Sequence, residues 1–150
     1  MIDLESYKSN QFYKHEGTVK HLKAIKPKLA NKVMRIMAEL ERDGWQPIIA
    51  EGVRTKAQQA VKVRQGNSKT MKSKHLTGDA VDIVDKRYGW NGVAANLGYQ
   101  FWRKYGELCT NDSELRWGGD WGRGYERYIA YINHEVVYFV DVAHVELRPD

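Results

Sequence analysis

Two histidines and one aspartate hold the most specific chemistry in this chain. His75 and Asp82 flank Gly78 in the stretch Ser73-Lys74-His75-Leu76-Thr77-Gly78-Asp79-Ala80-Val81-Asp82, and His144 follows far downstream in Asp141-Val142-Ala143-His144-Val145-Glu146. Two imidazoles and one carboxylate around an open position are the ligand number of a hydrolytic zinc site. Gly78 lets the loop fold back so that His75 and Asp82 aim at one point. A strand beginning near Ala80 sends Asp82 to one face and Val81 and Ile83 to the other. A carboxylate on such an apolar strand is costly unless paired or metal-bound. Taken singly, His75 reads as a loop histidine and Asp82 as a strand-end cap or an ion-pair partner.

The elements that must place these groups follow from periodicity and punctuation. Leu22, Ile25, Leu29, Val33, Ile36 and Leu40 recur at steps of three and four, and Pro27 and Gly44 bracket a helix over residues 27–42. A strand is expected over 45–50, with 51–54 as its exit loop. Thr55 and Gln58 form a capping box that opens a helix to about residue 65, stopped by Gly66. Residues 67–77 read as a polar loop and 80–84 as a buried strand. Asn91 caps a helix to about residue 105, with Val93, Ala94, Leu97, Phe101 and Trp102 inward. Gly118-Gly119 turns the chain between Trp117 and Trp121. Strands are expected over 128–132 and 135–147, turned at Asn133-His134. Helices early and strands late give an α+β fold in a single domain over 1–150.

Composition narrows the function classes. A chain that is 42% hydrophobic and 11% aromatic folds around a core rather than staying disordered. A net charge of +5 favours an anionic partner, and on charge alone nucleic acid, a membrane surface and a cell wall all qualify. The basic residues are dispersed, without the basic and aromatic interleaving of a nucleic-acid binder, so no nucleic-acid partner is assigned. Cys109 is the one cysteine, which excludes an intrachain disulfide and a thiolate cluster, and it reads as a small buried hydrophobe. The N-terminus has no signal-peptide pattern and no run is long enough to cross a membrane. The expectation is a monomer made in the cytoplasm.

The ten residues from Ser73 to Asp82 resemble Ser-x-His-x-x-Gly-x-Ala-x-Asp, the signature of the D-alanyl-D-alanine carboxypeptidase and L-alanyl-D-glutamate endopeptidase family of VanY-like zinc peptidases. Ser73, His75, Gly78, Ala80 and Asp82 all match. Five fixed positions arise by chance on the order of once per few million starts. The resemblance runs over residues 17–148 and implies a fold like the hedgehog and D-Ala-D-Ala peptidase domains, with one zinc ion held by His75, Asp82 and His144. It further implies Asp141 as general base and Arg54, in the Arg54-Thr55 step, as the holder of a substrate carboxylate. Ser73, Trp117 and Asp120 are carried over as substrate contacts, the last two in Arg116-Trp117-Gly118-Gly119-Asp120-Trp121, a segment resembling one found in phage members.

The implied partner is the stem peptide of peptidoglycan within an anionic wall, and the implied reaction is amide hydrolysis by metal-activated water. Of the two activities, the phage endolysin type, an L-alanyl-D-glutamate endopeptidase acting on the wall after release, is favoured. A D-Ala-D-Ala carboxypeptidase or dipeptidase and a non-catalytic zinc-stabilised wall-binding module are the alternatives. No separate wall-binding domain is expected. One geometric condition attaches to the base. In a regular strand over 138–147, Asp141 and His144 would face opposite ways, so a turn or bulge must separate them. Without it Glu146 is the substitute, its ordinary role being to support a ligating imidazole. His134 is assigned no metal, and His15 and His21 are read as surface residues. Lys69, Lys72 and Lys74 are placed to steer an acidic substrate.

Overall fold

The apolar stripe expected from Leu22 to Leu40 is divided between two helices. In the computed structural model, which describes residues 16–66, 71–89, 96–120 and 141–149, α1 (Glu16–Ala24) precedes α2 (Pro27–Arg42). Pro27 disfavours helical backbone at the residue before it, and Lys26 is accordingly extended at φ −61°, ψ 137°. The freed Lys26 N–H donates to the Gly78 carbonyl at 3.0 Å, so the break between the helices is tied to the stretch that carries His75. Residues 16–24 were not expected to be helical. Only Thr18 and Leu22 are fully buried there, too few to show a periodic face.

Four strands pair antiparallel in the order β1-β2-β4-β3: β1 (Pro47–Glu51), β2 (Ala80–Asp85), β3 (Leu115–Trp117) and β4 (His144–Leu147). Two further helices complete the described fold, α3 (Lys56–Arg64) and α4 (Asn96–Thr110). Ile49, Val81, Ile83, Leu115, Trp117, Val145 and Leu147 share one face, which packs on Leu29, Val33 and Met37 of α2 and Phe101, Trp102, Tyr105 and Cys109 of α4. The opposite face carries the polar groups. Register sets Glu51 of β1 beside Asp82 of β2, and Asp82 beside His144 of β4. An irregularity between Ile49 and Glu51 inserts Ala50 and brings Glu51 into that row.

Most expected elements appear, with shifted ends. The capping box of Thr55 and Gln58 is present, and α4 runs to Thr110, five residues past its expected end. Within the loop expected over 67–77, Lys74–Thr77 forms a 3-10 turn. Ser73 caps it by accepting the His75 N–H, and Gly78 closes it at φ +75°. The long strand expected over 135–147 is replaced, in its described part, by a turn at 141–143 followed by the short β4. The Asn91 cap, the strand over 128–132, the Asn133-His134 turn, Trp121 and His134 lie outside the described residues.

Asp85 joins the end of β2 to the start of β1. It is 1% exposed and accepts hydrogen bonds from the Gln46 N–H and from the Arg87 N–H, Nε and guanidinium. Burial pushes its carboxyl up, but the Arg87 side chain and the two backbone N–H groups outweigh this and hold it below its ordinary value. Asp85→Ala should destabilise the fold by about 1–3 kcal/mol at neutral pH. A carboxylate with a depressed folded pKa contributes above its unfolded value of about 3.9 and loses that contribution as pH falls. Denaturant melts at pH 7 and pH 3 should therefore show the gap between parent and variant narrowing in acid.

Candidate metal centre

Each ligand is placed by a different local device. The 3-10 turn aims His75 inward, and the strand segment after β1 clamps it from both sides. The Arg54 N–H donates to the His75 carbonyl at 2.9 Å, and the Gly52 carbonyl lies 2.8 Å from His75 Nδ1. A carbonyl can only accept, so Nδ1 supplies the hydrogen of that bond and Nε2 is the nitrogen that faces Asp82. Asp82 rises from the centre of the sheet, flanked by β1 and β4. His144 opens β4 with Nε2 held 2.8 Å from Glu146 Oε1, which leaves Nδ1 facing Asp82.

These three side chains converge. His75 Nε2 and His144 Nδ1 lie 3.3 and 3.4 Å from Asp82 Oδ1, and the imidazole rings meet edge to face at 5.0 Å. The ligand atoms all lie within 4.8 Å of one another, and the side chains are no more than 7% exposed. Yet Asp82 Oδ1 is buried without an aligned hydrogen bond. A buried carboxylate oxygen in that state is costly unless something else satisfies it. Two ring nitrogens and one carboxylate oxygen gathered within 4.8 Å fit a divalent cation, and the donor set suits zinc.

His144 depends on a turn held from three directions. Its N–H bonds to the Asp141 carbonyl at 3.3 Å across Val142 and Ala143, which provides the reversal that the sequence required. The Trp117 indole N–H donates to the Val142 carbonyl at 2.7 Å. The Tyr105 hydroxyl and the Ile83 N–H both donate to the Ala143 carbonyl. Gly118 lies so close beneath that an added Cβ would stand 2.0 Å from the Asp141 carbonyl oxygen. Cβ atoms at Gly106 and Gly119 would each strike the Trp117 ring, at 2.5 and 2.4 Å. These contacts give the Trp-Gly-Gly segment a physical reason: it seats the turn.

The remaining expected residues divide. Asp141 stands beside the centre, its Oδ2 4.0 Å from His144 Nδ1, and at 27% exposed its side chain reaches solvent. Glu146 supports His144 through the bond already given. Ser73 acts within its own turn. Arg54 lies near, but its side chain is only 10% exposed and its guanidinium is bonded to Glu51 and to Gln59 Oε1. Trp117 departs from the role expected of it: at 3% exposed it is buried in the frame and offers no surface to a substrate. Asp120 ends a 3-10 turn at Gly118–Asp120. Lys74 adjoins the ligand turn and Lys72 is exposed just before it, while Lys69 lies outside the described residues. His21, read as a surface residue, is half-buried and packs against Gly52. Sequence reasoning missed Tyr105 and Gly118 as supports, and no local signal marks either.

Electrostatics follow from this crowding. Burial pushes Asp82 up, but the facing imidazoles of His144 and His75 more than reverse it and hold the carboxyl well below the carboxylate range. Burial works against the charged form of His144, while Asp82 and Glu146 overcome it and raise the imidazole to about 10. Asp141 is raised to about 6, first by burial and then by the charge of Asp82.

A buried His-Asp-His triad with one carboxylate beside it, on an antiparallel sheet covered by helices, defines an α+β fold with a candidate metal centre. Residues 11–148 match the family model of phage L-alanyl-D-glutamate peptidases. The L-alanyl-D-glutamate peptidase of Listeria phage A118 is 39% identical over 84 residues, covering 54% of this chain and 28% of that protein. The corresponding peptidase of Escherichia phage T5 is 34% identical over 116 residues, covering 71% of this chain and 79% of that protein. Among solved structures, the Serratia marcescens L-Ala D-Glu endopeptidase ChiX shares the fold at a TM-score of 0.59, with 24% identity over 89% of this chain and 87% of that one. This chain belongs to the phage L-alanyl-D-glutamate peptidase family. The fold is the one that the resemblance implied.

Two measurements test the centre. With His144 raised to about 10, the metal-free chain carries a proton there at pH 7 that a cation must displace. Calorimetric titration with zinc in buffers of different ionisation enthalpy should show about one proton released per ion, and affinity rising with pH. Binding without proton release would refute this protonation state. Gly118→Ala sets a Cβ against the Asp141 carbonyl and forces the turn at 141–143 away from residue 118, so zinc affinity should fall by about tenfold or more, as when a ligand's support is lost.

Proposed function

We propose that this chain is a zinc-dependent peptidase that cuts the L-alanyl-D-glutamate bond in the stem peptide of bacterial peptidoglycan, in the role of a phage endolysin. The unsatisfied oxygen of Asp82, faced by two imidazole nitrogens at 3.3 and 3.4 Å, is the observation that carries this reading. Membership of the family supports the bond cut. The net charge of +5 suits an anionic wall.

His75 Nε2, Asp82 Oδ1 and His144 Nδ1 would hold the ion, and Gly52 and Glu146 fix the two rings in the tautomers that leave those nitrogens as donors. Bound zinc supplies a Lewis acid and lowers the pKa of water. Asp141 is the group placed to move the proton. Its carboxyl stands beside His144 and is partly exposed, and a value near 6 leaves it mostly ionised at neutral pH yet basic enough to accept. It takes the proton from the attacking water at Oδ2 and delivers it to the leaving amine. A cation seated among the ligands favours the ionised form of Asp141 further.

Asp141→Ala should retain zinc and lose about a hundredfold or more of turnover, the scale of one general base. The assay is mass spectrometry of fragments released from purified peptidoglycan, with and without a chelator. Masses that place the cut elsewhere in the stem peptide would refute the bond assignment. Parental turnover by the variant would refute the role of Asp141.

A further inference from the structure

The row of polar residues on the metal-bearing face does not stop at the ligands. Beyond Asp82 it reaches Glu51 on β1, and beyond Glu51 lies a groove of about 410 Å3 lined by His21, Glu51, Val53, Arg54, Val61 and Lys62 among others. Its floor is the strand segment that clamps His75 through Gly52 and Arg54, so groove and centre share one backbone. Glu51 is close enough that its charge bears on Asp141.

Two properties of the groove point to a ligand. Val53 and Val61 are 44% and 37% exposed, and with Met71 they are the large hydrophobics left exposed among the described residues. Two of the three thus line this one groove. Its charge is also unbalanced. Glu51 bonds Arg54 through one oxygen and Lys62 through the other, the latter at 3.0 Å, so two cations share one carboxylate. Lys62 is 33% exposed, and its ammonium has donors beyond the one given to Glu51.

We propose that this groove is the subsite for the acidic residue of the substrate, with Lys62 as the specificity-determining contact for a peptide carboxylate. The inference rests on the peptidase reading above and adds to it the side of the centre on which the acidic half of the peptide lies. Lys62 receives the carboxylate, Glu51 holds Lys62 and Arg54 in place, and Val53 and Val61 bear on the aliphatic part of the same residue. Lys62 stands on α3, whose start is fixed by the Thr55–Gln58 capping box, so the ammonium is carried on a rigid element.

The test uses two synthetic peptides with an L-alanyl-D-glutamate bond, identical except that the remaining glutamate carboxyl is free in one and amidated in the other. The parent should favour the free acid by about tenfold in kcat/KM, the scale of one charge-assisted hydrogen bond. Lys62→Met should bring that ratio to within about twofold through the KM of the acid alone, because the contact is remote from the reacting atoms. Lys86→Met, an exposed lysine beyond the far end of β2, should leave it unchanged.

A parent without preference, a Lys62→Met ratio equal to the parental one, or an equal loss from Lys86→Met would each overturn the proposal. Product masses report separately which bond is cut. A wrong bond therefore counts against the peptidase assignment, while the acid-to-amide ratio still decides the role of Lys62.

Discussion

A single carboxylate oxygen, enclosed at the centre of a sheet and faced by two imidazoles that do not bond to it, organises this molecule. Asp82 is deeply enclosed, since β1 and β4 flank it and both faces of β2 are buried. Together with Glu146 it raises His144, and its charge adds to the burial that raises Asp141. Both rings stand within ion-pair distance of Asp82, at 3.3 and 3.4 Å, and the surrounding structure fixes where they stand. Gly52 and Glu146 each occupy the far nitrogen of a ring. Neither imidazole can then rotate to satisfy Asp82 without giving up a bond of its own.

The second ligand-bearing segment needs more support than the first. His75 and Asp82 are eight positions within one local motif, set by a capped turn and a strand. His144 follows a reversal that no local sequence preference dictates, because Val142 and Ala143 are poor turn formers. The reversal is instead imposed by distant groups: an indole from β3, a hydroxyl from α4 and an N–H from β2 satisfy its carbonyls, and a glycine beneath admits its backbone. Here Trp117 fills the space over Gly106 and Gly119 and works from the inside.

This division explains what could be read in advance. The motif from Ser73 to Asp82, the helix from Pro27 and the capping box at Thr55 are local patterns, and the structure reproduces them. The need for a break between Asp141 and His144 was also legible, from parity alone. What supplies the break was not, since Tyr105 and Gly118 act through space across the sheet. Arg54 shows the same limit. Its type suits a carboxylate, but sequence does not reveal that Glu51 already occupies it, because a one-residue bulge at Ala50 decides which way Glu51 faces.

The order of the ligands along the chain has a consequence for folding. His75 and Asp82 come from its middle and His144 from near its end, so an ion bridging them closes a long excursion that includes α4 and β3. A link of that span removes chain entropy from the unfolded ensemble much as a disulfide does, by an amount that grows slowly with the length enclosed. With Cys109 its only cysteine, this chain has no covalent means of making such a link. The ion that equips the centre for chemistry would also serve as the chain's single long-range cross-link, and withdrawing it would loosen the very segment that brings His144 home.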